Sequence, residues 1–365
     1  MAEIRVESVA KSFGGFAAVR GVSFTVDHGA FFVILGPSGC GKTTTLRMTA
    51  GLELPTAGRI LLDGEDVTAL PASARDIAFV FQLFALYPHM NVRQNIGFPL
   101  KCQNVPRAEI RRSVEETARL LRIDHLLDRR VGGLSGGDRQ RVALGRAIVR
   151  RPKAFLMDEP LGALDSEFRR LMCGELRELH DRIDATTVYI THDQLEAMAM
   201  ADRIAIMNQG RVEQIGTPQE IYDRPRSMFV ADFIGAPPMS FLGVQAALRR
   251  GDRSIEVDGV PVAMPELFED RAEGSFALGV RPENVSFAEA SRLRGRVIGA
   301  EYLGTTQIVT VTTANGRLKA RLPSSQTVRV GETVGLALRP DRLSLFDASS
   351  GAALRSSLYE GGAHG

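Results

Sequence analysis

The sequence predicts an α/β domain with a largely parallel sheet and a helical insertion, followed by a small all-β domain. Three observations support this prediction. The chain has 365 residues, enough for two or three domains. Short apolar runs alternate with helical patterns up to about residue 235, which is typical of α/β units. Beyond residue 236 the helical periodicity largely disappears.

The strands of the first domain, predicted to span residues 1–235, are short apolar runs bounded by turn residues. Phe31–Leu35 is continuously apolar and is followed at once by glycine, as expected of a buried central strand. A helix is expected from Lys42 to about Gly51. Further strands are predicted at residues 4–6, 22–26, 60–62, 77–81, 154–157 and 187–190.

Helical patterns dominate residues 83–150. Ala108–Leu121 is polar with apolar positions at helical spacing, and Asp138–Val149 forms a second helical pattern. We therefore interpret residues 83–150 as a helical insertion on the sheet.

The second domain is predicted to span residues 236–350, after the turn signal Gly235-Ala236-Pro237-Pro238. Gln307–Val311 and Arg317–Leu322 alternate between apolar and polar positions on either side of Asn315-Gly316. Asn-Gly between alternating runs is a strong hairpin signal. We interpret this domain as a small β barrel.

Composition narrows the class of protein. The 45 Lys and Arg residues nearly balance 43 Asp and Glu, which argues against nucleic-acid binding through a basic surface. Cys40, Cys102 and Cys173 are too few and too scattered for a disulfide scaffold or a zinc site. No signal peptide is evident, and the apolar run Ala30–Leu35 is far shorter than the ~18 residues of a membrane span. We expect a cytosolic protein with a flexible tail at 351–365.

The sharpest motif follows the predicted central strand and fits the pattern G-x-x-x-x-G-K-[ST]. Its glycines let successive backbone N–H groups cradle phosphate oxygens, and the following helix adds its positive end. We expect Lys42 to reach the outer phosphates and Thr43 to ligate Mg²⁺. The predicted nucleotide-binding residues of this loop are Gly36, Pro37, Ser38, Gly39, Cys40, Gly41, Lys42, Thr43 and Thr44.

Two carboxylates follow the predicted strand at residues 154–157. Asp158 is expected to hold Mg²⁺, directly or through water, and Glu159 to orient or deprotonate an attacking water. Such a pair after a strand is often only the start of a helix. Beside a phosphate loop, however, it favours a hydrolytic site.

Ser135-Gly136-Gly137, directly before a helical pattern, is a second candidate anion site. An ordinary helix cap has the same sequence character. One active site does not need two anion sites so far apart in the chain. A homodimer, in which each turn faces the nucleotide of the other copy, would explain the pair.

The order of these motifs resembles that of the ATPase subunits of ATP-binding-cassette (ABC) transporters, over residues 1 to about 240. In chain order they are the phosphate loop, Gln82, Leu-Ser-Gly-Gly-Asp at 134–138, Asp158-Glu159 and Thr191-His192-Asp193. The resemblance implies ATP and Mg²⁺ as ligands.

The resemblance also implies roles for single residues. Phe13 would stack on adenine, and Gln82 would bind Mg²⁺, sense the attacking water and link the site to membrane subunits. Asp165 would cross the interface of a homodimer, and His192 would hold the γ-phosphate.

The segment Leu-Ser-Gly-Gly-Asp at residues 134–138, which we call the signature segment, departs from the family pattern at its last residue. The resemblance implies that Ser135 and Gly137 contact the γ-phosphate across a head-to-tail dimer. The last residue is usually Gln, and here it is Asp138. A carboxylate so placed adds repulsion, although it suits the dipole of the first helical turn. We expect weaker nucleotide-driven closure.

The second domain resembles the regulatory β domain of carbohydrate importers of the maltose and sn-glycerol-3-phosphate type, an oligonucleotide-binding-type (TOBE-like) barrel. Arg281-Pro282-Glu283 and Arg339-Pro340-Asp341 carry this resemblance, and Ile221–Pro225 and Phe233–Met239 resemble the segment before it.

This resemblance implies a subunit that hydrolyses ATP to energise import of a sugar, polyol or glycerol phosphate. It would lie at the cytoplasmic face of the inner membrane and touch the membrane only through two permease subunits. An extracytoplasmic solute-binding protein would act with it, and no nucleic acid would bind. A polyamine, iron or sulfate importer has the same architecture, and a nontransport ABC ATPase is the remaining alternative.

Overall fold

A computed structural model describes residues 2–81, 85–162, 166–183 and 185–360. The chain divides into two compact units, residues 1–218 and 219–365. None of the described helices is long and apolar enough to span a membrane.

The elements of the first unit alternate as an α/β sequence should. Its strands are β1 (Ile4–Phe13), β2 (Phe16–Val26), β3 (Phe31–Leu35), β4 (Ala57–Leu62), β5 (Glu65–Asp66), β6 (Ile77–Val80), β7 (Ala154–Asp158), β8 (Thr186–Thr191), β9 (Arg203–Asn208) and β10 (Arg211–Gly216). Its helices are α1 (Lys42–Thr49), α2 (Val92–Cys102), α3 (Arg107–Leu120), α4 (Gly136–Ile148), α5 (Ser166–Ile183) and α6 (Gln194–Met200).

The described strands of this unit form a six-stranded sheet in the order β10-β9-β3-β8-β7-β6. Neighbouring strands from β9 to β6 are parallel, and only the edge strand β10 is antiparallel to its neighbour. Every residue of β3 and β8 is buried, because other elements cover such a sheet on both faces. The predicted α/β class is confirmed.

A second sheet, in the order β2-β1-β4-β5, is antiparallel and packs on the same core. Phe24 of β2 stacks on Phe32 of β3 with their ring centroids 5.1 Å apart. Both β1 and β2 are longer than predicted. Register shifts along their pairing disturb the alternation from which strands are predicted. Between β6 and β7 the chain forms α2, α3 and α4, which make up the helical insertion.

The second unit is mostly β. After α7 (Pro218–Asp223) and α8 (Met228–Phe233), its elements are β11 (Ser240–Leu248), β12 (Ser254–Val257), β13 (Val260–Ala263), β14 (Arg271–Val280), β15 (Val285–Phe287), β16 (Arg294–Tyr302), β17 (Thr306–Thr313), β18 (Gly316–Pro323), β19 (Thr333–Leu338), β20 (Ser344–Asp347) and the short helix α9 (Ser357–Glu360).

These strands form the sheets β11-β14-β20 and β15-β19-β16-β17-β18 and the hairpin β12-β13. The hairpin predicted around Asn315-Gly316 is the pair β17–β18, in which Thr313 lies opposite Gly316. Gly316 has φ 144°, a value that side chains disfavour. Alternate residues of β17 and β18 enter one apolar core.

The boundary between the units lies earlier than predicted. We expected it after residue 235, but the segment from α7 to Ile234 packs on the second unit. Arg281, only 2% exposed, donates to the carbonyl oxygens of Tyr222 (2.9 Å), Ala231 (3.1 Å) and Ile234. Its guanidinium also lies 4.2 Å from the centroid of the Tyr222 ring.

The predicted flexible tail also needs correction in its described part. Leu354 is 1% exposed, and Ala352 and Ser356 form β-bridges with residues of the same unit. The Tyr359 hydroxyl donates to the carbonyl of Pro225 at 2.9 Å. Residues 351–360 are held by these contacts, and residues 361–365 lie outside the described part.

We predict that Arg281→Met lowers the free energy of unfolding of the second unit by about 2 to 4 kcal/mol, because buried carbonyls lose a charged donor. Urea denaturation followed by circular dichroism measures the loss. Arg296→Met, at an exposed position of β16, is the matched control and should change it by less than about 0.5 kcal/mol. Equal effects of the two variants would contradict this role of Arg281.

Candidate nucleotide site

The phosphate loop connects the buried end of β3 to the first turn of α1. Two of its glycines are required by close backbone packing. A Cβ at Gly36 would lie 2.2 Å from the Met207 carbonyl oxygen, and one at Gly41 would lie 2.6 Å from that of Ala18. Gly41 also has φ 105° and precedes the first helical residue. The sequence therefore folds here into a tight turn that leads directly into a helix N-terminus.

Lys42 is buried in this turn, with 5% of its surface exposed. Its ammonium donates to the carbonyl oxygens of Gly36 at 2.8 Å and Pro37 at 2.9 Å. An ammonium has three hydrogens, so one is left for a further acceptor. The loop thus holds a positive charge against its own backbone carbonyl oxygens.

The other residues predicted for the phosphate loop differ in how far they are exposed to solvent. Ser38, Gly39 and Thr43 are exposed, and Thr44 is half-buried. Cys40 is 5% exposed, and burial raises the pKa of its thiol, so the residue packs as a neutral side chain.

Thr43 and Asp158 meet at the same edge of the sheet. The Thr43 hydroxyl donates to the Asp158 carboxylate at 3.2 Å. Burial raises the pKa of Asp158, and the neighbouring charge of Glu159 adds to the increase. Hydroxyl and carboxylate oxygens are Mg²⁺ ligands, so this pair fits that ion. The described residues contain no cluster of three or more His, Cys, Asp or Glu that could hold a metal alone.

Glu159 and His192 form the second contact at this edge. The Nδ1 atom of His192 lies 3.1 Å from the Glu159 carboxylate, whose side chain is 18% exposed. Glu159 has φ 45°, in the left-handed region that side chains disfavour, and its backbone N–H donates to the Ile190 carbonyl at 3.1 Å. Such strain is typical of functional positions. A proton acceptor and an imidazole are therefore placed together.

The signature turn lies at the start of α4. Ser135 caps this helix: its hydroxyl accepts from the backbone N–H of Asp138 at 3.1 Å and donates to the Asp138 carboxylate at 2.7 Å. Gly136 is half-buried and Gly137 buried. Helix α4 packs on α2, α3 and β6, and β6 is three positions from β3 in the sheet, about 14 Å away. The turn is not part of the edge that Lys42 and Glu159 share.

Phe13 lies at the end of β1, opposite Phe16 across the turn. It is 49% exposed, and the Lys11 ammonium lies 5.0 Å from its ring centroid. An exposed ring at this position has a free face for stacking. Gln82 and Asp165 lie outside the described residues.

Sequence reasoning missed a group of residues behind His192. Arg169 of α5 donates to Asp193 at 3.0 Å, and the buried Tyr189 hydroxyl donates to Glu196 at 2.7 Å. The only local signal was that Asp193 begins a helix. The partner on α5 is 24 residues away and has no sequence pattern of its own.

Comparison with known proteins identifies the family. The profile of the ABC transporter family matches residues 19–162, and that of the TOBE domain matches residues 278–346. The chain is 44% identical over 356 residues to the sulfoquinovosyl glycerol transport ATP-binding protein SmoE of Agrobacterium fabrum. That alignment covers 96% of this chain and 99% of the relative. The chain belongs to the ATP-binding proteins of ABC transporters.

Two further relatives match along nearly their whole length. The chain is 44% identical over 393 residues to the trehalose import ATP-binding protein SugC of Mycobacterium tuberculosis, covering 97% of this chain and 98% of SugC. It is 45% identical over 357 residues to the sn-glycerol-3-phosphate import ATP-binding protein UgpC of Rhizobium meliloti, covering 96% and 99%.

Among solved structures, cbiO1 from Clostridium perfringens, part of the ABC transporter complex cbiONQ, is similar with a TM-score of 0.57 and 29% identity. The match covers 60% of this chain and 89% of that protein. The predicted family, the ABC ATPase domain and the C-terminal TOBE domain are confirmed, and the protein is an ATPase coupled to transport.

The buried charge of Asp158 leads to a prediction about stability. Because the folded-state pKa of Asp158 is raised, its ionisation costs stability above the unfolded pKa, and this cost disappears as the pH falls below it. Without nucleotide and with EDTA present, Asp158→Asn should therefore raise the free energy of unfolding at pH 7. The gain over wild type should shrink as the pH falls toward 3.8.

Urea denaturation between pH 3.5 and 7 checks this expectation. Asp128→Asn is the matched control, at an 83% exposed side chain. A gain for Asp158→Asn that is independent of pH would contradict the assigned cause.

Proposed function

We propose that this protein hydrolyses ATP to energise the import of a sugar, polyol or glycerol phosphate. Its partners are two membrane permeases and an extracytoplasmic solute-binding protein, and it lies at the cytoplasmic face of the inner membrane. The observation that carries the proposal is the convergence of Lys42, Asp158, Glu159 and His192 at one sheet edge. Full-length relatives named as import ATP-binding proteins for trehalose and glycerol phosphate support the solute class.

In this proposal each described group has one task. The loop N–H groups and Lys42 bind the phosphates, and Phe13 stacks on the adenine. Thr43 and Asp158 would hold Mg²⁺, which neutralises phosphate charge. Glu159 accepts a proton from the attacking water, and His192 donates a hydrogen bond to the γ-phosphate.

We assign the other functional positions from the family pattern. Gln82 would contact Mg²⁺ and the attacking water and would link the site to the permeases. Asp165 crosses the interface between two copies, and Ser135 and Gly137 contact the γ-phosphate held by the other copy. The packing of α4 on β6, three strand positions from β3, supports this division between two copies.

Transport is then driven by a shift of the equilibrium between separated subunits and a closed homodimer. ATP binds more favourably to a closed head-to-tail homodimer than to separated subunits, because only the closed dimer offers both anion sites. Closure moves the permeases, and hydrolysis reopens the dimer. Contact with the membrane occurs only through the permeases, and the near-balance of charge gives no support for nucleic-acid binding.

Purification of the tagged protein from its native membranes by gentle extraction tests the proposal. Two permeases and a solute-binding protein should accompany it, and that binding protein can be screened against sugars, polyols and glycerol phosphates. A binding protein selective for polyamines, iron or sulfate would replace the solute class. Recovery alone, or with ribosomes or DNA enzymes, would contradict the transport role.

We predict that Glu159→Gln retains ATP binding, dimerises with ATP and loses about 100- to 10,000-fold in turnover, because the amide cannot accept the proton. Phosphate release and analytical ultracentrifugation measure both effects. Glu109→Gln, exposed in the first turn of α3, is the matched control. Turnover near that of wild type would remove Glu159 from its proposed role.

The Ser135–Asp138 contact leads to a separate prediction. Asp138→Gln removes a negative charge beside the proposed γ-phosphate site and the charge-assisted bond that holds the Ser135 hydroxyl. ATP-driven dimerisation, measured in the Glu159→Gln background, should tighten by roughly 5- to 10-fold at low salt. The difference should decrease with added salt.

Nucleotide affinity of the separated subunit is the internal control for this comparison. It should not change, because the phosphate loop and Ser135 lie in different parts of the unit. An unchanged dimerisation constant across the salt series would show that Asp138 does not govern closure.

A further inference from the structure

A buried group of ionisable side chains lies directly behind His192. Tyr189 is completely buried in β8, and its hydroxyl donates to the Glu196 carboxylate at 2.7 Å. Glu196 is only 3% exposed, and burial raises its pKa. Nearby on α5, burial and the charges of Glu196 and Asp193 raise the pKa of the Cys173 thiol to about 12. The thiol therefore stays neutral, and the acidic side chains Asp193 and Glu196 are what a nearby cation can pair with.

Arg169 is the cation that faces these carboxylates. It lies on α5 and donates from Nη1 to the Asp193 carboxylate at 3.0 Å, while its Nε lies 3.5 Å from Glu196. Its side chain is 26% exposed and that of Asp193 23%, so this pair is only partly screened by water. One guanidinium thus balances two carboxylates that stand one turn apart on α6.

Asp193 fixes the turn that presents His192. One of its carboxylate oxygens accepts from the backbone N–H groups of Leu195 (2.8 Å) and Glu196 (3.3 Å), capping α6. The other oxygen accepts from Arg169, and the Asp193 backbone N–H donates to the Thr191 hydroxyl at 2.9 Å. His192 stands between these two anchored residues, with its ring 3.1 Å from Glu159.

The Arg169–Asp193 ion pair also joins two chain segments, one that follows Glu159 and one that follows His192. Arg169 lies ten residues after Glu159 in the chain, on the helix that follows β7, and Asp193 lies directly after His192. The ion pair therefore ties the element that follows Glu159 to the turn that carries His192.

We propose that Arg169 is a positioning residue for ATP hydrolysis, which holds the His192 turn against Glu159 through its pair with Asp193. The inference rests on the proposed function, in which Glu159 and His192 act on the γ-phosphate. Arg169 has no part in nucleotide binding, because Lys42 and the loop N–H groups bind the phosphates from the neighbouring strand.

Steady-state ATP hydrolysis and binding of a fluorescent ATP analogue by the full chain test the inference. Arg169→Met keeps the length of the side chain and removes its charge. We expect kcat to fall by about 10- to 100-fold, since a small misplacement of a catalytic group has effects of that size. KM and the Kd of the analogue should stay within about twofold of wild type. Arg170→Met, at an exposed position on the same helix, is the matched control and should keep wild-type kcat.

Two further variants keep the test decisive if Arg169→Met fails to fold. Arg169→Lys retains the charge and should recover part of kcat. Asp193→Asn keeps a cap for α6 but weakens the pair, and should lower kcat without changing the Kd. Combined with Arg169→Met, it should cost little more than the larger single effect, because both changes break one contact.

A folded Arg169→Met or Asp193→Asn variant with wild-type kcat would overturn the inference, as would kcat and affinity declining together. Glu159→Gln in the same assay separates the two levels of the proposal. Wild-type hydrolysis by that variant means that the proposed site is wrong. Loss of hydrolysis there, with normal kcat in the Arg169 variants, means that only the positioning role is wrong.

Discussion

The parallel register of β3, β8 and β7 is the constraint on which the site depends. Leu35 lies opposite Thr191, and Asp158 lies opposite Ile190. The loops after these strands therefore leave the sheet at one edge and nearly one level. The register alone places the phosphate loop beside His192, and Glu159 beside the same turn. Because both faces of the sheet are buried and closely packed, a slip by one residue would disrupt the packing on both faces, so core packing protects the geometry of the site.

The same edge concentrates features that oppose stability. Lys42 is buried, Asp158 has a raised pKa because of its desolvation, and Glu159 adopts a left-handed backbone conformation. Each costs free energy in the folded chain and none is needed for packing. Groups held ready in this way do not have to reorganise when phosphate charge arrives, which is the condition for electrostatic stabilisation of a transition state. This local cost in folding free energy distinguishes the sheet edge from other places in the chain where charged groups are buried.

The sequence pattern predicted those structural features that depend on residues close together in the chain. The phosphate loop, the apolar strand before it and the hairpin at Asn315-Gly316 each depend on neighbouring residues, and the structure contains all three elements. The contacts of Arg169 with Asp193 and of Arg281 with Tyr222 join positions far apart in the chain. No periodicity or spacing signals such pairs. For the same reason the domain boundary and the packed residues before 361 were predicted wrongly, since distant partners decide both.

On the proposed function, the site is divided between two copies, and this division has a consequence for coupling. Within one copy, α4 packs on β6, three strand positions from β3, so in this proposal Ser135 does not complete the shell around a phosphate that the same chain's loop binds. On the proposed function, hydrolysis then depends on closure, and closure draws its energy from contacts that exist only in the dimer. The Ser135–Asp138 bond competes with those contacts, whereas the Arg169–Asp193 pair does not. On the proposed function, separate ion contacts thus set the affinity for closure and the rate of the chemical step within the closed dimer.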